Sequence, residues 1–264
     1  MKWMALVCVA LVLMAGIGGM GSIGERTMHF SIKYGDSDGV SAGIGRMLEG
    51  CYQTINSYFG NLPNNINVLV IDDTKMDGIG KHVEAFSAWN PRSSTIVLRD
   101  KTLKDKKSLA CVATHEICHL ALNDILDKKG GKEFAWLEEG TCMVLSNEPL
   151  DDVKISKYIV SNGFMSLDEI AKAIDNDEYA ICKNGYLQSF SLCKYIAEQF
   201  GTQALVSIIR SPSSDFEMAF RDVTGVNFEP VYNAWKSTVD SRSHGVPAPG
   251  IVSIHGYLCF DLAD

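Results

Sequence analysis

The chain has no basic excess: 24 Lys and Arg stand against 32 Asp and Glu, a net charge of −8. The positive residues are scattered rather than clustered, which removes the electrostatic case for a nucleic-acid partner. No stretch repeats at a fixed period and no low-complexity tract appears, so solenoid arrays and linker-dominated chains are out. Cysteines at C-x-x-C spacing are also missing. Beyond Cys8 there are seven, at Cys51, Cys111, Cys118, Cys142, Cys182, Cys193 and Cys259. An odd number without paired spacing makes neither a disulfide framework nor a zinc knuckle. Most fall at apolar positions of predicted helices and read as small buried hydrophobes.

Between Lys2 and Glu25 there is no charge at all. Residues 3–14 are an uninterrupted apolar run, and residues 15–22 are rich in small residues. One positive charge, a short apolar run and a small-residue exit describe an export signal. The same uncharged stretch is long enough for an uncleaved membrane anchor, and both readings of residues 1–24 stand. The glycines at 16, 18, 19 and 21 weaken a stable helix there and tilt the choice toward cleavage. Either way the rest of the chain is expected outside the cytoplasm, periplasmic or secreted, or tethered to a membrane through residues 3–24.

The whole chain of 264 residues is 46% hydrophobic and 21% charged, enough for one good core. Residues 27–34 alternate as a half-buried strand, 40–59 carry a helical apolar stripe, and 66–71 form a strand apolar enough to be central. Residues 72–90 read as loop with at most a short helix, and 95–98 as an edge strand. Helical patterns follow at 105–128, 134–147, 166–174, 185–199, 203–210, 216–223 and 228–239, with an acidic loop after Pro149. Strands first and helices after give an α+β class with a cleft between the halves.

The segment 109–126 has no Pro or Gly and contains His115-Glu116-Ile117-Cys118-His119, an H-E-x-x-H pattern. On a helix the two His project from one face, about 40° apart. Two imidazoles so placed can close on one Zn²⁺. Glu116, about 100° round from His115, can take a proton from water on the metal. Cys118 points elsewhere and is expected to pack. A catalytic site needs a third ligand, and Trp136-Leu137-Glu138-Glu139-Gly140-Thr141 offers two carboxylates on the next helix. With Trp136, Gly140, Met143 and Val144 as the packed face, Glu139 falls at its edge. Glu138 points nearly opposite and reads as solvated.

H-E-x-x-H followed by W-L-x-E-G resembles the gluzincin zinc metallopeptidases, and more closely the peptidase MA-like domains. The resemblance covers roughly residues 27–240 and implies a zincin-like α+β fold, with a small N-terminal mixed sheet, the H-E-x-x-H helix and a mainly helical C-terminal lobe. It makes the Glu before Gly, here Glu139, the third zinc ligand beside His115 and His119. The ligand separation, 139 − 119 = 20, suits the family. The segment from Tyr186 to Gly201 is similar to one that supplies a catalytic Tyr in aminopeptidase-like members, which implies that Tyr186 donates a hydrogen bond to the oxyanion. As a core aromatic on an amphipathic helix, Tyr186 has a structural reading as well.

There are departures. Thermolysin-like members hold the first His with an Asp four residues after the Glu ligand, where this chain has Met143. That leaves the partner of the other His115 nitrogen unidentified, a role a backbone carbonyl could fill. No G-x-M-E-N exopeptidase segment precedes the motif. The implied function is zinc-dependent hydrolysis of peptide or protein substrates, with Glu116 as base. The alternative is a non-catalytic or vestigial zinc-binding scaffold of the envelope. The implied layout is a peptidase domain at 25–240, with a sheet lobe at 25–127 and a helical lobe at 128–240. Residues 241–264 form a tail whose role the sequence does not place.

Overall fold

In the computed structural model, residues 24–35, 43–60, 62–80, 82–90, 93–127 and 134–246 are described. The N-terminal apolar run and most of the C-terminal tail lie outside them. Among the described residues no helix is long and apolar enough to cross a membrane.

Five strands form one mixed sheet. Strands β1 (Glu25–Arg26), β2 (Phe30–Tyr34), β3 (Ile66–Ile71), β4 (Ala85–Asn90) and β5 (Ser93–Arg99) lie in the order β1-β2-β3-β5-β4. β2, β3 and β5 run parallel, with Phe30 opposite Ile66 and Ile66 opposite Ser94. β1 and β4 are antiparallel edges. Helix α1 (Gly45–Phe59) connects β2 to β3, and α2 (Asp73–Ile79) follows β3.

The sheet is covered on both faces. Ile66, Val68 and Val70 join Phe30, Ile32, Ile96 and Leu98 in the main core. Leu69, Ile71 and Val97 point the other way, toward Phe86 and Met76. Two buried faces explain why β3 is apolar almost throughout rather than alternating. They also correct one expectation: residues 95–98 are not at an edge. Ile96 and Leu98 serve one face and Val97 the other, and the edge belongs to β4, inside a stretch read as loop.

Ten helices occur among the described residues. After a 3₁₀ turn at Asp100–Lys104, the motif helix α3 (Lys106–Asp127) packs against α1, β4 and the helix that follows it. Then come α4 (Ala135–Leu145), α5 (Asp152–Asn162), α6 (Leu167–Ile174), α7 (Tyr179–Phe200), α8 (Thr202–Arg210), α9 (Phe216–Thr224) and α10 (Phe228–Ser243). Helix α5 occupies what the sequence suggested was an acidic loop. Asp151 caps it by accepting from the backbone N–H of Val153 and Lys154, and Ile155 and Ile159 face inward. α6 begins with a capping box between Ser166 and Glu169.

The crossing of α4 and α7 sets the site. At Gly140 an added Cβ would meet the Ser189 carbonyl oxygen and the Cys193 Sγ, each at 2.5 Å. Only a residue without a side chain lets the two backbones approach this closely. Ser189 Oγ also donates to the Trp136 carbonyl. The glycine beside Glu139 therefore brings α7, and Tyr186 on it, up against that carboxylate. The core runs continuously from Phe30 to Val239, with Trp136, Phe216, Phe220 and Phe228 linked by edge-on and tilted ring contacts at its helical end.

Candidate metal centre

Helix α3 is enclosed on nearly every side, with Leu109, Ala113, Ile117, Cys118, Leu120, Ala121 and Leu122 buried. His115 and His119 leave it toward α4, where Glu139 is also buried. The Nε2 atoms of the two His are 3.0 Å apart. Glu139 Oε2 lies 3.3 Å from His119 Nε2 and 3.5 Å from His115 Nε2. A tetrahedral ion with bonds of about 2.0–2.1 Å separates its ligand atoms by about 3.3–3.4 Å, close to this triangle. Glu139 Oε2 has no hydrogen-bond partner although it is buried. Among the described residues its only near polar neighbours are the two imidazoles, and a cation at the centre of the triangle would give this buried oxygen a direct bond. Among the described residues, this trio of His and carboxylate groups converges closely enough to hold a metal ion. Two imidazoles and one carboxylate suit zinc.

Behind each imidazole stands a second carboxylate. His115 Nδ1 donates to Glu148 Oε1 at 3.0 Å, and His119 Nδ1 donates to Glu138 Oε1 at 3.0 Å. That arrangement keeps a proton on Nδ1, turns each Nε2 toward the shared centre and raises ligand basicity. Neither Glu138 nor Glu148 was expected in this role. A helical wheel assigns Glu138 to water, yet eight of the eleven residues of α4 are buried. A helix enclosed on most sides has little solvated face to offer. The partner of His115 that the sequence left unidentified is Glu148, just past the end of α4. Asn147 adopts a left-handed φ of 54° there, a conformation Asn tolerates, and Glu148 N–H donates back to the Met143 carbonyl at 3.3 Å. The sequence signal was available in principle, because an imidazole that binds metal needs an acceptor on its other nitrogen.

The charges reinforce one another. Burial by itself would lower the pKa of His115, but Glu139 and Glu148 outweigh it and push the imidazole up to about 10. His119 is likewise driven upward against its burial by Glu139 and Glu138. Burial would raise Glu139, yet the charge on His119 and the two imidazole contacts hold it well below the usual carboxylate range. With its pKa at about 10, His115 keeps its proton at pH 7 in the metal-free chain. An incoming ion must displace that proton before Nε2 can offer its lone pair. Zinc uptake at neutral pH is therefore expected to release about one proton or more per ion, and zinc affinity should rise with pH. Titration calorimetry in buffers of different ionisation enthalpy measures this; identical apparent enthalpies would contradict it.

Glu116 sits one residue along α3, mostly buried, and its negative charge acts on both His115 and Tyr186. Among the described residues no hydrogen bond ties up its carboxylate. Tyr186, on α7, donates its O–H to Glu139 Oε1 at 3.3 Å. Burial and the neighbouring Glu139 raise its pKa well above the ordinary value, so the phenol stays a donor. All five residues singled out in the sequence are thus at one place. Cys118 is fully buried and packs, as expected. Of the other histidines, His82 and His244 are exposed, and His255 lies outside the described residues.

The family model described as the peptidase MA superfamily matches residues 88–241, from within the edge strand into the last helix. This chain belongs to the peptidase MA superfamily. Membership implies a metallopeptidase scaffold, and zinc as the metal. Among solved structures, one of an M1 zinc metallopeptidase variant from Deinococcus radiodurans is similar at 11% identity and a TM-score of 0.45, over 88% of this chain and 52% of that one. The chain therefore spans about half the length of that peptidase. No curated protein matches it.

Proposed function

We propose that this member of the peptidase MA superfamily is a zinc-dependent peptidase in which His115, His119 and Glu139 hold the ion and Glu116 is the general base. The observation that carries the reading is the triangle of two Nε2 atoms and a buried Glu139 Oε2 that accepts no hydrogen bond. The carboxylate fixed behind each imidazole supports it. When bound, a zinc ion supplies Lewis acidity, lowering the pKa of a coordinated water toward about 7 and polarising a carbonyl. Glu116 accepts a proton from the attacking water as its oxygen bonds to the peptide carbonyl carbon. The same carboxyl returns that proton to the nitrogen as the C–N bond breaks, so the amine leaves neutral. Tyr186 donates its O–H to the oxyanion, a contribution on the order of 3–4 kcal/mol for one well-placed donor.

Strand β4 is a sheet edge beside the motif helix, and an extended peptide can add to such an edge by main-chain pairing. The uncharged N-terminus supports export, or an uncleaved anchor that leaves the domain outside the cytoplasm. The expected result with purified protein is cleavage of casein or of members of a broad peptide panel when zinc is present. A chelator should stop the reaction and added zinc restore it. A chain that binds zinc and cuts nothing in the panel would support the scaffold reading.

A further inference from the structure

Glu148 stands outside any helix, yet its carboxylate meets His115 on α3, and the backbone on both sides of it is constrained. Asn147 N–H donates to the Val144 carbonyl at 3.1 Å, and Glu148 N–H to the Met143 carbonyl at 3.3 Å. With Asn147 at a φ of 54°, these two bonds complete a Schellman turn at the end of α4. Among the described residues, Asn147 is the one non-glycine with a positive φ. On the other side stands Pro149, which disfavours the helical region for the residue before it. The Glu148 carbonyl accepts from Leu150 N–H at 2.8 Å, and the Leu150 side chain packs on the main core. Little backbone freedom is left to Glu148.

The turn is also docked sideways on the motif helix. Cys111 and His115 are four residues apart and share a face of α3. The Ser146 hydroxyl is within hydrogen-bonding reach of the Cys111 thiol, and Glu148 takes His115 one turn further on. Ser146 is itself buried and donates to the Met143 carbonyl at 3.1 Å. Asn147 therefore links two residues that both contact α3, and its backbone sets how the second one is presented.

We infer that Asn147 is a positioning residue for the metal: its left-handed backbone, backed by Pro149, sets Glu148 on His115 Nδ1, and zinc affinity depends on how readily residue 147 adopts that conformation. This rests on the zinc site of the reading above. Asn147 is not among the converging ligand groups, so its influence runs through Glu148. Glycine enters the left-handed region freely and Asn tolerates it. Alanine meets a clash between its Cβ and the following carbonyl, and a β-branched residue resists most. A residue that resists pulls the Schellman turn apart. Glu148 then leaves Nδ1, and the imidazole loses both its orientation and its added basicity.

The test measures zinc affinity of the full chain by equilibrium dialysis against a competing chelator. The variants are Asn147→Gly, Asn147→Ala and Asn147→Val, each alone and combined with Glu148→Ala. Unfolding midpoints of the metal-free chains are followed by circular dichroism. Asn147→Gly should stay within about twofold of the wild-type affinity. Asn147→Ala should bind more weakly and Asn147→Val weakest, by about tenfold or more, within the 10–100-fold typical of a lost partner behind a ligand. In the Glu148→Ala background the same three substitutions should agree within about twofold, because the group they act through is gone. Unchanged affinity across the series with Glu148 present would overturn the inference. So would an equal loss in both backgrounds, the mark of a merely structural turn. Should Asn147→Val fail to fold, Asn147→Gly against Asn147→Ala decides by the same criterion. A wild-type chain that takes up no zinc overturns the metal site itself, whereas zinc uptake indifferent to residue 147 sinks the positioning role alone.

Discussion

Glu116→Gln should leave zinc in place and abolish measurable hydrolysis. The substitution keeps side-chain size and removes only the basic lone pairs, and Glu116 is not among the converging ligand atoms. Loss of a general base costs typically 10²–10⁴-fold, and here the same group also returns the proton to the leaving amine, so the effect is expected at the upper end. Zinc content and unfolding midpoint should match the wild-type chain while kcat falls. Turnover at the wild-type rate would remove Glu116 from the mechanism. Loss of zinc together with activity would make it a ligand instead.

Glu139→Gln should lose stoichiometric zinc. The carboxylate supplies both a donor atom and the negative charge that offsets a dication between two buried imidazoles. Gln occupies the same volume but offers a neutral oxygen in a place where charge matters most. Glu148→Gln makes the informative contrast. It leaves all three ligand atoms intact and weakens only the orientation and basicity of His115, so affinity should fall about 10–100-fold without stoichiometric binding being lost. Equilibrium dialysis with metal analysis separates the two outcomes. Stoichiometric zinc in Glu139→Gln would shift the third-ligand role elsewhere, Glu138 being the nearest candidate.

What the sequence could disclose depended on how local the cause was. His115, Glu116 and His119 lie within one helical turn, so their spacing alone put them on adjoining faces. Glu139 needed a second helix, and the edge of an apolar stripe together with the W-L-x-E-G resemblance found it. Glu138 was misjudged because a wheel assumes one wet face, and α4 has little. Glu148 reaches His115 only through the left-handed turn at Asn147, a tertiary path that no periodicity encodes. In the sheet, residues 95–98 carried a usable hint: apolar side chains in succession signal a strand covered on both faces. β4 was harder, since Ala85-Phe86-Ser87-Ala88-Trp89-Asn90 alternates weakly and Ser87 is itself buried. Helix α5 hid behind Asp151, Asp152, Lys154 and Lys157, whose charges mask the Ile155–Ile159 spacing that packs it.

The central claim is that zinc sits on two imidazoles of the motif helix and one carboxylate of the helix after it. Anomalous diffraction from zinc-loaded crystals, collected on both sides of the zinc edge, tests it most directly. The expected result is a single strong peak about 2.0–2.2 Å from His115 Nε2, His119 Nε2 and an oxygen of Glu139, with Glu138 and Glu148 still on the Nδ1 atoms. A peak ligated by Glu138 in place of Glu139, or none at the pair of imidazoles, would contradict the account.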